Sequence, residues 1–213
     1  MNEETKSIQL PEPTLRRLPW YLAYVNMLRS QHIEYVSSTQ ISKKLNVDAS
    51  QISKDLSFLN IKGKTRIGYQ VEHLANELSV FLDFYKSHSA FMVGVGSLGS
   101  ALIQDSGLMQ YGLLIVAGFD VDEKIVGKDI CGVPIFHISE LRGKQQVYNA
   151  EIGIVAVPVE YAQQSADLLV DAGVKAIWNF TPYRIKVGDD VVIQNTSIYA
   201  HLAVMYNRLN GKK

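Results

Sequence analysis

Three glycines carry the first chemical suggestion in this chain. In Phe91-Met92-Val93-Gly94-Val95-Gly96-Ser97-Leu98-Gly99-Ser100-Ala101-Leu102 an apolar strand-like run meets G-x-G-x-x-G and then helix-forming residues. Gly94 permits a tight turn, Gly96 lets the backbone approach a pyrophosphate, and Gly99 lets a helix pack closely on the strand. With Val95, Ser97 and Leu98 between them, they form a candidate phosphate cradle at a helix N-terminus, where free N–H groups and the helix dipole favour negative charge. Such turns also occur for packing alone, so a second signal is needed. It comes from Asp120, which closes the next apolar run, Leu113 to Phe119, about 20 residues beyond Gly99. A carboxylate there accepts from both ribose hydroxyls and repels a 2′-phosphate, favouring NAD(H) over NADP(H), with Val121 as the adjoining contact. Ala156-Val157-Pro158 and Asn179-Phe180-Thr181-Pro182 end two further runs, so Val157, Pro158, Asn179, Phe180 and Pro182 are expected at the same sheet edge. An apolar wall there penalises the cationic NAD+ ring more than neutral NADH. The plainer alternative is that these residues only cover the sheet.

A second set of residues points to different chemistry. Ser37 followed by Gln40, and Asp48 followed by Gln51, are capping-box patterns that open two short helices, to about Leu45 and Leu59. The tight Leu45-Asn46-Val47 connection suits a helix-turn-helix. On the second helix Ile52, Leu56 and Leu59 face inward, leaving Ser50, Gln51, Ser53, Lys54 and Ser57 for base edges and phosphates. Residues 41–70 hold six bases, Lys43, Lys44, Lys54, Lys62, Lys64 and Arg66, against Asp48 and Asp55, a local excess of four positive charges. Ile61 to Val71, with Gly63 and Gly68, reads as a β hairpin whose tip, Lys62 to Arg66, can grip phosphate or enter a minor groove.

The elements that must position these groups divide near residue 88. Before it, Leu18, Leu22, Val25 and Leu28 mark a first helix, in which Pro19 is expected to lie in the first turn, and a last helix spans Val71 to Tyr85. After it, short strands alternate with helices, predicting a parallel sheet covered on both faces, with strands at 91–94, 113–120, 133–136, 152–157 and 176–179. Ile198, Leu202, Met205 and Leu209 make an amphipathic terminal helix. The expected plan is α/β: a mobile tail over 1–13, a winged-helix domain over 14–87, a Rossmann-type domain over 88–194 and a terminal helix over 195–213.

Composition restricts the rest. With 47% hydrophobic and 20% charged residues in 213, the chain is an ordinary globular one. Lys plus Arg equals Asp plus Glu at 21 each, so attraction to nucleic acid must be local. The single cysteine, Cys131, excludes an internal disulfide or a multi-cysteine metal site and suits a reducing cytosol. The polar start Met1 to Lys6 does not read as a signal peptide, and no apolar run reaches the roughly 20 residues that span a bilayer. A cytoplasmic location is expected.

Together these segments resemble the Rex family of redox-sensing transcriptional repressors over nearly the whole chain. The likeness is carried by Arg17-Leu18-Pro19, Val36-Ser37-Ser38, Gln51-Ile52, Lys54-Asp55-Leu56-Ser57, Ile67-Gly68-Tyr69, Gly94 to Gly99, Phe119-Asp120-Val121-Asp122, Val157-Pro158, Ala162-Gln163, Ala172-Gly173-Val174-Lys175 and Asn179-Phe180. The resemblance implies a homodimer that exchanges its C-terminal helices, binds operator DNA, with Tyr69 in the wing, and releases it when NADH binds. It also implies an interdomain switch, a tyrosine paired with an aspartate that an arginine can take in the other state. This chain holds Asp105, Ser197 and Ala23 at the matching places, and Asp105 and Ser197 are expected to bond with their roles reversed. Ser53 replaces a usual arginine, and Leu59-Asn60-Ile61-Lys62-Gly63 replaces an aromatic, glycine-containing segment.

Two rival readings come from the same residues. An NAD-dependent oxidoreductase would need a proton donor beside the nicotinamide, for which His137, His201, Tyr111 and Lys175 are the candidates. A small-molecule module resembling CoA-binding domains is the other, although Asp120 favours the ribose of NAD.

Overall fold

A computed structural model describes residues 10–59 and 61–211, which form two compact units divided between Tyr85 and Lys86. The expected tail over residues 1–9 lies outside the described residues, as does Asn60.

In the first unit α1 spans Glu12–Ser30, with Pro13 in its first turn. It therefore begins inside the stretch expected as tail, and Leu10 before it is already part of the core. Pro19 sits in the helix interior, not in its first turn. The lost backbone bond is offset by burial of Thr14, Leu18, Tyr21, Leu22, Val25 and Leu28 along one face, since packing rather than propensity decides most helices. β1 (Tyr35–Val36) leads into α2 (Ser38–Leu45), opened by a complete Ser37–Gln40 capping box and closed by Asn46 in the left-handed conformation. α3 is Ala49–Ser57, then come β2 (Tyr69–Gln70) and α4 (Val71–Phe81). The expected hairpin is reduced to one bridge, Lys64 to Gly68, because β2 pairs with β1 instead, Val36 opposite Tyr69. The unit's core joins Leu18, Tyr21, Leu22 and Val25 to Ile41, Ile52, Leu56, Val71, Leu74 and Leu78.

The second unit runs β3 (His88–Val93), α5 (Ser97–Gln104), α6 (Ser106–Gln110), β4 (Leu113–Asp120), β5 (Asp129–Ile130), β6 (Val133–His137), α7 (Leu141–Tyr148), β7 (Ile152–Val155), α8 (Ala162–Ala172), β8 (Ala176–Asn179), β9 (Val192–Asn195) and α9 (Ile198–Asn210). The sheet order is β5-β6-β4-β3-β7-β8-β9, parallel except for β5. Leaving β5 aside, this is the doubly wound order 3-2-1-4-5-6, which reverses direction between β3 and β7 and opens a crevice there. Alternate residues of β3 feed opposite faces: Phe91 and Val93 pack with Phe119, Leu141 and Leu169, while Ala90 and Met92 pack with Ile103, Ile135 and Ile154. β5 and β9 were not expected from sequence; both lie at sheet edges and are largely exposed, so they lack the apolar run that marks inner strands. No helix among the described residues is long and apolar enough to cross a membrane.

Candidate functional site

At the crevice between β3 and β7 lies a cleft of about 500 Å³, lined by Gly94, Gly96, Asp120, Val121, Val157 and Pro158 among others. The three glycines divide the work. Gly94 has φ +90°, and a Cβ there would meet the Ala156 carbonyl oxygen at 2.6 Å. At Gly99 a Cβ would stand 2.0 Å from the Gly94 carbonyl oxygen, so the first turn of α5 lies against the strand end only because no side chain intervenes. Gly96, which precedes α5, has nothing within 4 Å of such a Cβ. Packing does not require glycine at Gly96; a ligand approaching the backbone would.

Asp120 is held by the main chain. Val95 N–H donates to Oδ2 at 2.7 Å, while Val121 and Asp122 N–H donate to Oδ1 at 2.7 and 3.0 Å. Oδ1 already accepts twice and Oδ2 once, so Oδ2 is the oxygen with more capacity left for a ribose hydroxyl. The other predicted wall is only partly assembled. Val157 and Pro158 line the cleft; Asn179, Phe180 and Pro182 do not. Asn179 is fully buried and its amide is used internally: Nδ2 donates to the Tyr183 carbonyl and Asn195 Oδ1, and Oδ1 accepts from Thr181 N–H and Oγ1. It shapes the loop after β8 instead of offering a contact. Phe180 packs against Trp178, the two rings tilted by 44° with centroids 4.6 Å apart. Five lining residues carry no motif that sequence reads: Gln164, Ser165 and Leu168 come from α8, and Ile138 and Tyr161 from the short turns that precede α7 and α8.

In the first unit, Ser50, Ser53, Lys54 and Ser57 are exposed on α3, as are Lys43 on α2 and Lys62, Lys64 and Arg66 in the wing. The Ser53 and Ser57 hydroxyls donate back to the Ala49 and Lys54 carbonyls. Tyr69 is only 9% exposed and part of the core, packed beside Gly63, where it supports the wing. The expected capping box at Asp48 does not form. Gln51 instead donates from Nε2 to Asp55 Oδ1 at 2.8 Å.

Asp55, a negative charge within the basic patch by sequence, is completely buried and is the centre of the unit's polar structure. Arg17 donates to both its oxygens, Nε to Oδ2 at 2.7 Å and Nη2 to Oδ1 at 2.8 Å. Tyr21 OH donates to Oδ2 at 2.7 Å and Thr14 Oγ1 to Oδ1 at 3.1 Å. Burial by itself would raise the Asp55 pKa, but the donors outweigh it and hold the carboxyl below its ordinary value. The bond to Asp55 drives the Arg17 pKa up, and burial with the same carboxylate raises that of Tyr21. The network ties α3 to α1. Its sequence signal was present in Arg17-Leu18-Pro19 and Lys54-Asp55-Leu56, but nothing in their spacing says that residues 38 apart meet.

Comparison with known proteins fits both units. Residues 9–57 match a family model described as "Putative DNA-binding protein N-terminus", and residues 85–183 match one for a "CoA binding domain". The chain is 57% identical, over 95% of its length and 92% of theirs, to a redox-sensing transcriptional repressor Rex of Bacteroides thetaiotaomicron. To a Rex of Porphyromonas gingivalis it is 53% identical, over 95% of the chain and 93% of that protein. The chain belongs to the Rex family of redox-sensing transcriptional repressors.

A Rex-family repressor called RSP, solved in complex with beta-NAD+ and operator DNA, is similar at 33% identity and TM-score 0.90, covering 96% of this chain and 94% of that one. RSP in complex with beta-NADH is similar at 34% identity and TM-score 0.84, covering 95% of each chain. Asp105 and Ser197, expected as a switch pair, each bond locally within this chain. Asp105 Oδ1 caps α6 by accepting from Gly107 N–H at 2.9 Å, and Ser197 Oγ caps α9 by accepting from Ala200 N–H at 3.2 Å. The structure of one chain does not bring the two together. The residues an oxidoreductase would need are elsewhere too: His137 bonds Ser139, Lys175 faces Glu151, His201 stands on α9, and none of them, nor Tyr111, lines the cleft.

Proposed function

We propose that this chain is a cytoplasmic, homodimeric repressor that reads operator DNA with α3 and the wing and lets go when NADH enters the cleft beside Asp120. The observation that carries this reading is that one polypeptide joins a basic helix-turn-helix to a dinucleotide cleft with an open glycine at its phosphate end. RSP, similar over nearly the whole chain, has been captured with operator DNA and with both forms of the cofactor.

The site has physical reasons for each role. Pyrophosphate would lie on the N–H groups at the start of α5, and one ribose hydroxyl would donate to the remaining lone pair of Asp120 Oδ2. Val157 and Pro158 give the nicotinamide an apolar neighbour that penalises the NAD+ charge. α9 buries no residue against its own chain and leaves Ile198, Tyr199, Val204, Met205, Tyr206 and Leu209 exposed. A second copy exchanging this helix would cover them. Two reading helices must stand about 34–36 Å apart to enter successive major grooves, so NADH acts by favouring a dimer with another spacing. Moving such an equilibrium from 1:99 to 99:1 takes about 5.5 kcal/mol of differential binding, shared between two sites. Fluorescence anisotropy of a labelled promoter duplex, titrated with protein and then with NADH or NAD+, tests the whole reading. Release by NADH and weaker release by NAD+ is expected; DNA binding that ignores both overturns it.

A further inference from the structure

Resting on the reading that α3 faces DNA, we infer that Asp55 is a specificity-setting positioning residue: it orients the Gln51 amide so that Gln51 reads adenine. Asp55 accepts from five donors, Thr14 Oγ1, Arg17 Nε and Nη2, Tyr21 OH and Gln51 Nε2, at 2.7–3.1 Å. A buried carboxylate gripped on both oxygens by a guanidinium is ionised and cannot turn. An ionised carboxylate only accepts, so the atom of the Gln51 amide that faces it must be nitrogen. That settles an orientation which a free glutamine would leave open, since its oxygen and nitrogen otherwise exchange places at little cost.

The consequence is directional. With one Nε2 hydrogen committed to Asp55, Gln51 has an acceptor, Oε1, and one remaining N–H to offer. Adenine presents the complement in the major groove, the N6 amine as donor and N7 as acceptor. Guanine presents two acceptors, O6 and N7, and would leave Oε1 facing O6. Gln51 is half-buried in the first turn of α3, where reading helices place the residues that touch base edges. The Ser50 hydroxyl rotates to donate or accept, and the Ser53 and Ser57 hydroxyls, whose hydrogens go to the Ala49 and Lys54 carbonyls, offer DNA only acceptors. Lys54 can only donate. Gln51 thus offers, from one side chain of this face, a donor and an acceptor whose positions are both set before DNA arrives.

The test begins with an operator that the protein itself selects from random-sequence duplexes. Each adenine is then replaced by purine, which lacks the N6 amine, or by 7-deazaadenine, which lacks N7, and affinity is read by anisotropy. One adenine per half-site is expected to lose roughly 5- to 150-fold on replacement in the wild-type protein, and to lose nothing in Gln51→Ala. A Gln51→Ala protein that keeps every penalty overturns the proposal while leaving operator reading intact. A wild-type protein that selects no sequence overturns the functional reading beneath it. For Asp55, a folded Asp55→Asn protein is expected to lose its preference for adenine over guanine at that one position, and full preference would overturn the positioning role. Should Asp55→Asn not fold, the ¹⁵N side-chain amide of Gln51 in the wild-type protein decides: one hydrogen exchanging much more slowly than those of surface glutamines is expected, and averaged exchange overturns the proposal.

Discussion

Two aspartates, one in each unit, show how the same side chain is given opposite tasks. Asp55 is fully buried, accepts from five side-chain donors and has no capacity left. Asp120 is half-buried at the lip of a cleft, accepts from three backbone N–H groups and retains a lone pair. A saturated carboxylate is part of the scaffold, whereas one that the main chain holds but does not fill is a place for a ligand. Two glycines of the one turn divide the same way, Gly99 serving packing and Gly96 leaving open space.

The largest expected effect is on the saturated side. Replacing Asp55 by Ala strands the Arg17 charge and is expected to cost the first unit about 3–5 kcal/mol, read by chemical denaturation with Trp20 fluorescence, while the Trp178 signal of the second unit changes little. A loss below about 1 kcal/mol would mean that the network is ornamental.

Acid sharpens the same contrast. The folded-state pKa of Asp55 lies below its unfolded value near 3.9, so the native state binds fewer protons between the two. Its stabilisation is fully present above about pH 4 and disappears as pH falls through the folded pKa. Trp20 should therefore report a steeper acid loss in the wild type than in Arg17→Met, where the depressing donors are gone; parallel curves would remove Asp55 from acid unfolding.

On the open side the effect falls on binding. Gly96→Ala is expected to leave the melting temperature unchanged and to weaken NADH several-fold or more by calorimetry, because the new methyl meets only the ligand. Asp120→Asn should weaken NADH by about 1.5–3 kcal/mol and narrow the margin over NADPH, since the hydrogen bond there involves a charge. NADH binding unaffected by either change would place the dinucleotide elsewhere. The smallest effect is at the wing: Lys64→Gln should lower affinity for all duplexes alike and reduce the slope of log affinity against log salt by about 1.

Legibility followed the range of the interactions. The glycine turn, Asp120, both short helices and the inner strands were readable, because each depends on residues close in sequence. Pro19 inside α1, β1 pairing with β2, and Tyr69 turned into the core were not, because each is decided by a partner far along the chain. Asn179 was named as a cofactor contact from its place at a strand end; its amide is instead spent on Tyr183, Asn195 and Thr181, which periodicity does not reveal.

By itself the sequence determined the two-part plan, the dinucleotide signature and the basic patch, since backbone freedom at glycine, alternation of apolar residues and formal charge are local properties. Only the tertiary structure decided that Asp55 is an internal anchor, that Gln51 donates to it, and that the main chain holds Asp120 at the cleft. Hydrogen-bond capacity is consumed or left free by neighbours in space, and chain order does not say who those neighbours are.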